Sequence, residues 1–229
     1  MELSWSQLFT SELEFVGFVT GLLSVLLLLP TRLPRLQYVN WFASIASAAI
    51  YLYLFHQWGL YGNAALQVPF LVLSFVGAWT WRGQLKGVIE NVKEIPTTYA
   101  PFREVFAASF LAIVAMILVY PILAYYGDPE PWWDGLILTV SLSAIFLQLR
   151  KRVQSWYLWI VVDLIAVPFH FNQERPATAL LYLTYMAMCF VGWYTWHKEA
   201  LTNQPLLKVQ DKLSETTPDP TSGTWHASY

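Results

Sequence analysis

The sequence predicts an all-α integral membrane protein of seven transmembrane helices, arranged as 3+1+3 parallel repeats: two three-helix units joined by one helix. Three observations predict it. Charged residues make up 12 % of the chain, against roughly 25 % in a soluble domain. Leu36 to Trp81 contains no Asp, Glu, Lys or Arg in 46 consecutive residues. The chain also repeats itself: Phe-Val-Gly-Ala-Trp-Thr-Trp at 75–81 returns as Phe-Val-Gly-Trp-Tyr-Thr-Trp at 190–196, five identities in seven at an offset of 115. The same offset pairs Trp41 with Trp156, Ala64 with Ala179 and Leu66 with Leu181.

A membrane-crossing helix needs about 20 apolar residues. The long uncharged run therefore holds two spans, near 38–56 and 64–82, with a turn around His56 to Asn63 where Gly59 and Gly62 interrupt the pattern. Phe15–Thr31 predicts a first span at 14–30. Val105–Gly127 predicts a fourth at 104–126, and Gly135–Leu149 a fifth at 132–149. Val153–Gln173, uncharged except for Asp163, predicts a sixth at 156–172, and Pro176–His197 a seventh at 177–197. Helices follow because lipid offers no partner for a free backbone group.

The domain organisation reads as a short outer segment at 1–13 and repeat one at 14–82. An inner loop, span four and an outer loop follow at 83–131, then repeat two at 132–200 and a disordered cytoplasmic tail at 201–229, rich in Pro, Ser and Thr. Glu2, Glu12 and Glu14 with no Lys or Arg before Arg32 do not make the basic start of a cleavable signal. Cys189 is the single cysteine and reads as a small packing residue.

Basic residues fix the expected topology. Arg32 and Arg35 follow span one; Arg82, Lys86, Lys93 and Arg103 follow span three; Arg150, Lys151 and Arg152 follow span five; Lys198, Lys208 and Lys212 follow span seven. Only Arg175 falls on the other side, where Asp128, Glu130 and Asp134 cluster. The positive-inside rule puts the N-terminus outside and the C-terminus in the cytoplasm. The motif closes spans three and seven, four apart, so the two repeats point the same way. Parallel repeats in a membrane are an architecture of transporters, with the ligand held between the halves.

Asp163 is the one formally charged side chain inside a span. An ionised carboxylate there costs roughly 2.5–3.5 kcal/mol unless it meets a partner or a polar cavity. Trp156 and Trp159 lie on the same helical stripe, making a two-turn ladder of indole, indole and acid. An indole face attracts a cation by about 0.5–2 kcal/mol, so the ladder suits a flat cationic heteroaromatic ligand. Trp156 also reads as an interfacial belt residue, and Asp163 as a helix–helix hydrogen-bonding group. Gln67 and Tyr182 occupy equivalent places in the two repeats. Thr178, Tyr182 and Tyr185 face one way, and Gln148 is a further polar candidate near the basic loop. Gly77, Trp81, Gly192 and Trp196 read as architecture, the glycines for close helix packing and the tryptophans for the inner interface.

His56, His170, His197 and His226 have no metal-ligand spacing, so no metal or other cofactor is expected, and no Walker loop is present. No nucleophile–base set appears inside the spans, which argues against an enzyme. A retinal-type receptor needs a Lys within span seven, and the first is Lys198, beyond Trp196. A net charge of −2 points to no nucleic-acid partner.

Trp133-Asp134-Gly135, Ser141-Leu142-Ser143, Gln148, Arg150-Lys151 and Trp156-x-x-Trp159-x-x-x-Asp163 together resemble the second half of PnuC-type vitamin transporters. So do Thr178-Ala179-x-x-Tyr182, Gly192 and Trp196. In the first half Glu14-Phe-Val-Gly17, Leu60-Tyr61, Gln67 and Gly77-x-x-x-Trp81 carry the likeness, which covers about 14–200. The resemblance implies a homotrimer of the bacterial inner membrane. It implies uptake of nicotinamide riboside by facilitated diffusion, driven by a cytoplasmic kinase that phosphorylates it toward NAD biosynthesis. Relatives of this kind carry thiamine or riboflavin instead. It places Trp156, Trp159, Gln67, Thr178 and Tyr182 on the substrate cavity. Ala48, beside Ser47, stands where many members have an Asn, and Pro69 interrupts span three.

Overall fold

The computed structural model describes residues 8–27, 34–85 and 95–216, with side chains described at 8–27, 39–80 and 95–204. Seven helices lie among them: α1 Glu12–Leu26, α2 Pro34–Gln57, α3 Tyr61–Leu85, α4 Phe102–Tyr125, α5 Pro131–Leu149, α6 Ser155–Asn172 and α7 Pro176–Thr216. Five of them, α2, α3, α4, α5 and α7, are long and apolar enough to cross a membrane. The chain is an all-α, multi-pass membrane protein.

Local chemistry explains the boundaries. Ser11 caps α1 by accepting the Glu14 N–H at 3.1 Å. Gly59, at φ +74°, makes the tight reversal between α2 and α3 that an L-residue resists. Pro131 opens α5, where its missing N–H costs nothing. Pro69, Pro121 and Pro168 sit inside α3, α4 and α6 without ending them.

The packing reproduces the duplication. α1 packs on α2 and α2 on α3; α5 packs on α6 and α6 on α7. The repeats meet along two seams, α1 against α7 and α3 against α5. Exchanging the repeats turns one seam into the other, as a pseudo-two-fold axis between parallel units requires. The linker α4 lies mainly against α5. Ser143 Oγ donates to the Ala108 carbonyl at 2.8 Å, and Glu104 pairs with Arg152 at 2.7 Å. The segment before α4 bridges to the α5–α6 turn through Thr98 and Arg152, with Val153 N–H donating to the Thr98 carbonyl at 3.0 Å. The linker is thus built into repeat two.

Arg103, Arg150, Lys151, Arg152 and Lys198 mark one end of the bundle, called the basic end here. Asp128, Glu130, Asp134, Glu174 and Arg175 mark the acidic end. α7 runs on to Thr216, past position 201 where composition places the start of a tail. Leu206, Leu207, Lys208, Gln210, Lys212 and Leu213 are good helix formers, and no Gly falls between Gly192 and Gly223. The side chains of Arg32, Arg35, Trp81, Arg82, Lys86, Lys93, Lys208 and Lys212, and residues 217–229, lie outside the described residues.

Candidate functional site

A cavity of about 880 Å³ lies between the repeats, within the usual range for a small-molecule site of roughly 300–1,000 Å³. All eight ligand candidates line it: Gln67 from α3, Gln148 from α5, Trp156, Trp159 and Asp163 from α6, and Thr178, Tyr182 and Tyr185 from α7. Its lining on α1, α5 and α6 is confined to the basic half, ending at Ser24, Ile145 and Asp163. Among the described residues that line it there is one acid and no Lys, Arg or His.

The ladder on α6 is held from three sides. Trp159 donates its indole N–H to Gln148 Oε1 at 2.8 Å, and Phe70 packs on the ring with centroids 5.9 Å apart. Gln148 therefore orients an indole, with its amide nitrogen left for other partners. Asp163 is buried, and its Oδ2 accepts from the Cys189 thiol at 3.5 Å. A thiol is a weak donor, so this carboxylate keeps most of its accepting capacity. Tyr182 is fixed by stacking, with Phe55, His170 and Tyr182 in one pile at centroid spacings of 5.5 and 5.0 Å. Its hydroxyl donates to Asn63 Oδ1 at 3.1 Å. Gln67 reaches the Asn63 carbonyl at 3.4 Å.

The duplicated motif turns out to serve the indoles of α2 and α6. A Cβ on Gly77 would overlap the Trp41 ring, and one on Gly192 the Trp156 ring. The glycines read as allowing close helix packing, and each gives room to an indole from the middle helix of its own repeat. Trp196, read as a residue of the inner interface, packs edge-on against Trp156 at 5.2 Å and lines the cavity. Trp156 is accordingly a packed wall residue as well as the foot of the ladder.

Several lining residues carry no signal strong enough to single them out in the sequence. Asn40, Ser44, Ser47 and Ser74 line the side of the cavity made by repeat one. Small polar residues within apolar runs are common, so composition does not separate them from packing. Asn40 is the one with a distinct mark: it is buried, and its Oδ1 has no partner among the described residues.

Comparison with known proteins places this architecture. The family described as Nicotinamide mononucleotide transporter matches residues 11–198. The chain is 24 % identical to the nicotinamide riboside transporter PnuC of Escherichia coli (strain K12), over 87 % of each chain. It is 29 % identical to the riboflavin/roseoflavin transporter RibM of Streptomyces davaonensis, over 60 % of this chain and 64 % of that protein. A crystal structure of the vitamin B3 transporter PnuC has the same fold, with a TM-score of 0.58 and 21 % identity across 82 % of this chain and 83 % of that one.

Proposed function

Because the chain belongs to the nicotinamide mononucleotide transporter family, we propose that it carries nicotinamide riboside across a bacterial inner membrane by facilitated diffusion. The observation that carries this reading is the pairing of Trp159 and Asp163 in a cavity whose described lining residues include no Lys, Arg or His. A pyridinium ring is flat and cationic, so it gains from the indole face and from the acid. Hydroxyl and amide donors of the ligand can be accepted by Asp163 and Gln67.

The same electrostatics favour the riboside over the mononucleotide. A phosphate monoester carries about −1.5 to −2 charge at neutral pH. Burying it beside Asp163 without a Lys or Arg costs several kcal/mol. Thiamine shares the flat cation and is the alternative cargo; riboflavin is uncharged and gains less from the carboxylate.

Asp163 being the one acid on the described cavity wall, with no Lys, Arg or His beside it, supports downhill movement, with a cytoplasmic kinase trapping the product. The basic loops support a cytoplasmic C-terminus. The outer face of α4, where Phe106, Ile113 and Ile117 are exposed, leaves an apolar surface for lipid or for the neighbouring copies of a homotrimer.

Calorimetry of the purified protein with nicotinamide riboside, its mononucleotide, thiamine and riboflavin tests the reading. Nicotinamide riboside is expected to bind most tightly and its mononucleotide at least about tenfold more weakly. Tighter binding of the mononucleotide would overturn it.

A further inference from the structure

Two buried carboxylates at the acidic end tie each repeat to the other, and neither lines the cavity. Glu14 lies in the first turn of α1. Its Oε1 accepts the Thr178 hydroxyl of α7 at 2.8 Å, and its Oε2 accepts the Thr10 N–H and hydroxyl, both at 2.7 Å. Asp134 lies in the first turn of α5. Its Oδ2 accepts the Gly62 N–H at 2.5 Å; its Oδ1 accepts the Asn63 N–H of α3 at 2.8 Å and the Asn63 side-chain amide. In both cases the first helix of one repeat grips the first turn of the third helix of the other.

The gripped halves of the two contacts are equivalent, while the carboxylates themselves, Glu14 and Asp134, lie 120 positions apart. Thr178 and Asn63 differ by 115 positions, the offset of the duplicated motif. Gly62 belongs to the second of them, since a Cβ there would lie 2.8 Å from both the Asp134 carbonyl and Oδ2. The first backbone N–H groups of a helix have no intrahelical partner, and a carboxylate also suits the positive end of the helix dipole.

Among the described residues, no carboxylate joins the two repeats at the opposite end. At the start of α2 and α6, again 115 residues apart, Asn40 Oδ1 and Trp41 Nε1 in one repeat and Ser155 Oγ and Trp156 Nε1 in the other have no partner among the described residues. The ends of the bundle thus differ in how the repeats are joined: two carboxylates cross between them at the acidic end, and among the described residues none does so at the basic end.

We propose that Glu14 and Asp134 are paired closures of the acidic end, positioning residues that must release the first turns of α7 and α3 for the ligand to pass that way. This rests on the transport reading of the cavity. Each closure reaches the cavity wall through one residue. Thr178 gives its proton to Glu14, and Tyr182 gives its proton to Asn63, which Asp134 holds. Toward the cavity both hydroxyls therefore offer lone pairs, and a ligand donor accepted there sits next to the closure it must open.

The native Cys189, a buried residue of the cavity wall and the single cysteine of the chain, reports the opening. The full chain, in intact cells and in inverted vesicles, is treated with a membrane-impermeant maleimide without ligand. In the parent chain, labelling is expected from the basic side alone. In the double variant Glu14→Gln/Asp134→Asn, labelling from the acidic side is expected to rise about tenfold or more. Calorimetric binding of nicotinamide riboside stays within about threefold, because neither carboxylate lines the cavity. Unchanged acidic-side labelling in a folded double variant overturns the closures. Should the double variant not fold, Glu14→Gln and Asp134→Asn are each read in the same way. Failure of the parent chain to bind nicotinamide riboside would remove the transport reading and leave the labelling result standing.

Discussion

Repeat one and repeat two agree where an indole meets a glycine and part company one turn further on. Trp41 occupies the space left by Gly77 as Trp156 occupies that left by Gly192. Beyond that shared seat, α6 carries Trp159 and Asp163 where α2 carries Ser44 and Ala48. On the third helices, Gln67 stands opposite Tyr182. The lesson is a division of labour. The duplicated residues build two equivalent walls, and the chemistry that distinguishes one end of a ligand from the other comes from the places where the copies have diverged. A symmetric cavity would hold an asymmetric molecule in two orientations equally well; this one has its acid and its stacked indole on one side.

The comparison can be broken at several points. The largest effect is expected from Trp159→Ala, which removes stacking and cation–π attraction worth about 2 kcal/mol. Uptake of tracer nicotinamide riboside by proteoliposomes should fall about thirtyfold or more. Normal uptake would remove the ladder from the site. Next come Gly77→Ala and Gly192→Ala, each forcing a Cβ into an indole. Each should lower stability by about 1–3 kcal/mol, read as a fall in the thermal unfolding midpoint. Equal falls sharpen the equivalence of the repeats, whereas a fall in one alone breaks it. Asp163→Asn should weaken nicotinamide riboside binding by about tenfold in calorimetry while sparing uncharged riboflavin. Gln148→Leu frees the Trp159 N–H and should raise KM severalfold with a smaller change in maximal rate. Ser44→Ala, the counterpart of the first substitution, should change uptake by less than about twofold.

Much of the fold was legible because membrane helices are local. The absence of charge from Leu36 to Trp81 and the basic loops mark spans directly, and the observed helix ends fall within a few residues of the expected ones over α2 to α6. The ladder was legible too, since 156, 159 and 163 share a stripe on any α-helix. Its supports were not. Gln148 reads as polar in the sequence, but only folding brings its amide to the Trp159 indole. The acidic closures were hidden for the same reason: Glu14 and Thr178 are 164 residues apart, and Asp134 reads as one member of an acidic cluster at a membrane rim. The offset of 115 offered one route to them, pairing Asn63 with Thr178, two polar residues at the start of equivalent helices. The helical continuation of α7 was missed because Pro, Ser and Thr toward the end of the chain outweigh, in bulk composition, the helix formers near 206–213.

That continuation has a mechanical consequence. At 41 residues, α7 is about 60 Å long, twice the roughly 30 Å thickness of the hydrocarbon layer. Its first turn is gripped by Glu14, its middle seats Trp156, and its final turns extend past the membrane like the pointer of a balance. A tilt of about five degrees, pivoting at the first turn, would carry the far tip through about 5 Å. A pair of spin labels, one near Thr216 and one on the α5–α6 turn, would register rocking of the repeats as a change in distance well outside the bilayer.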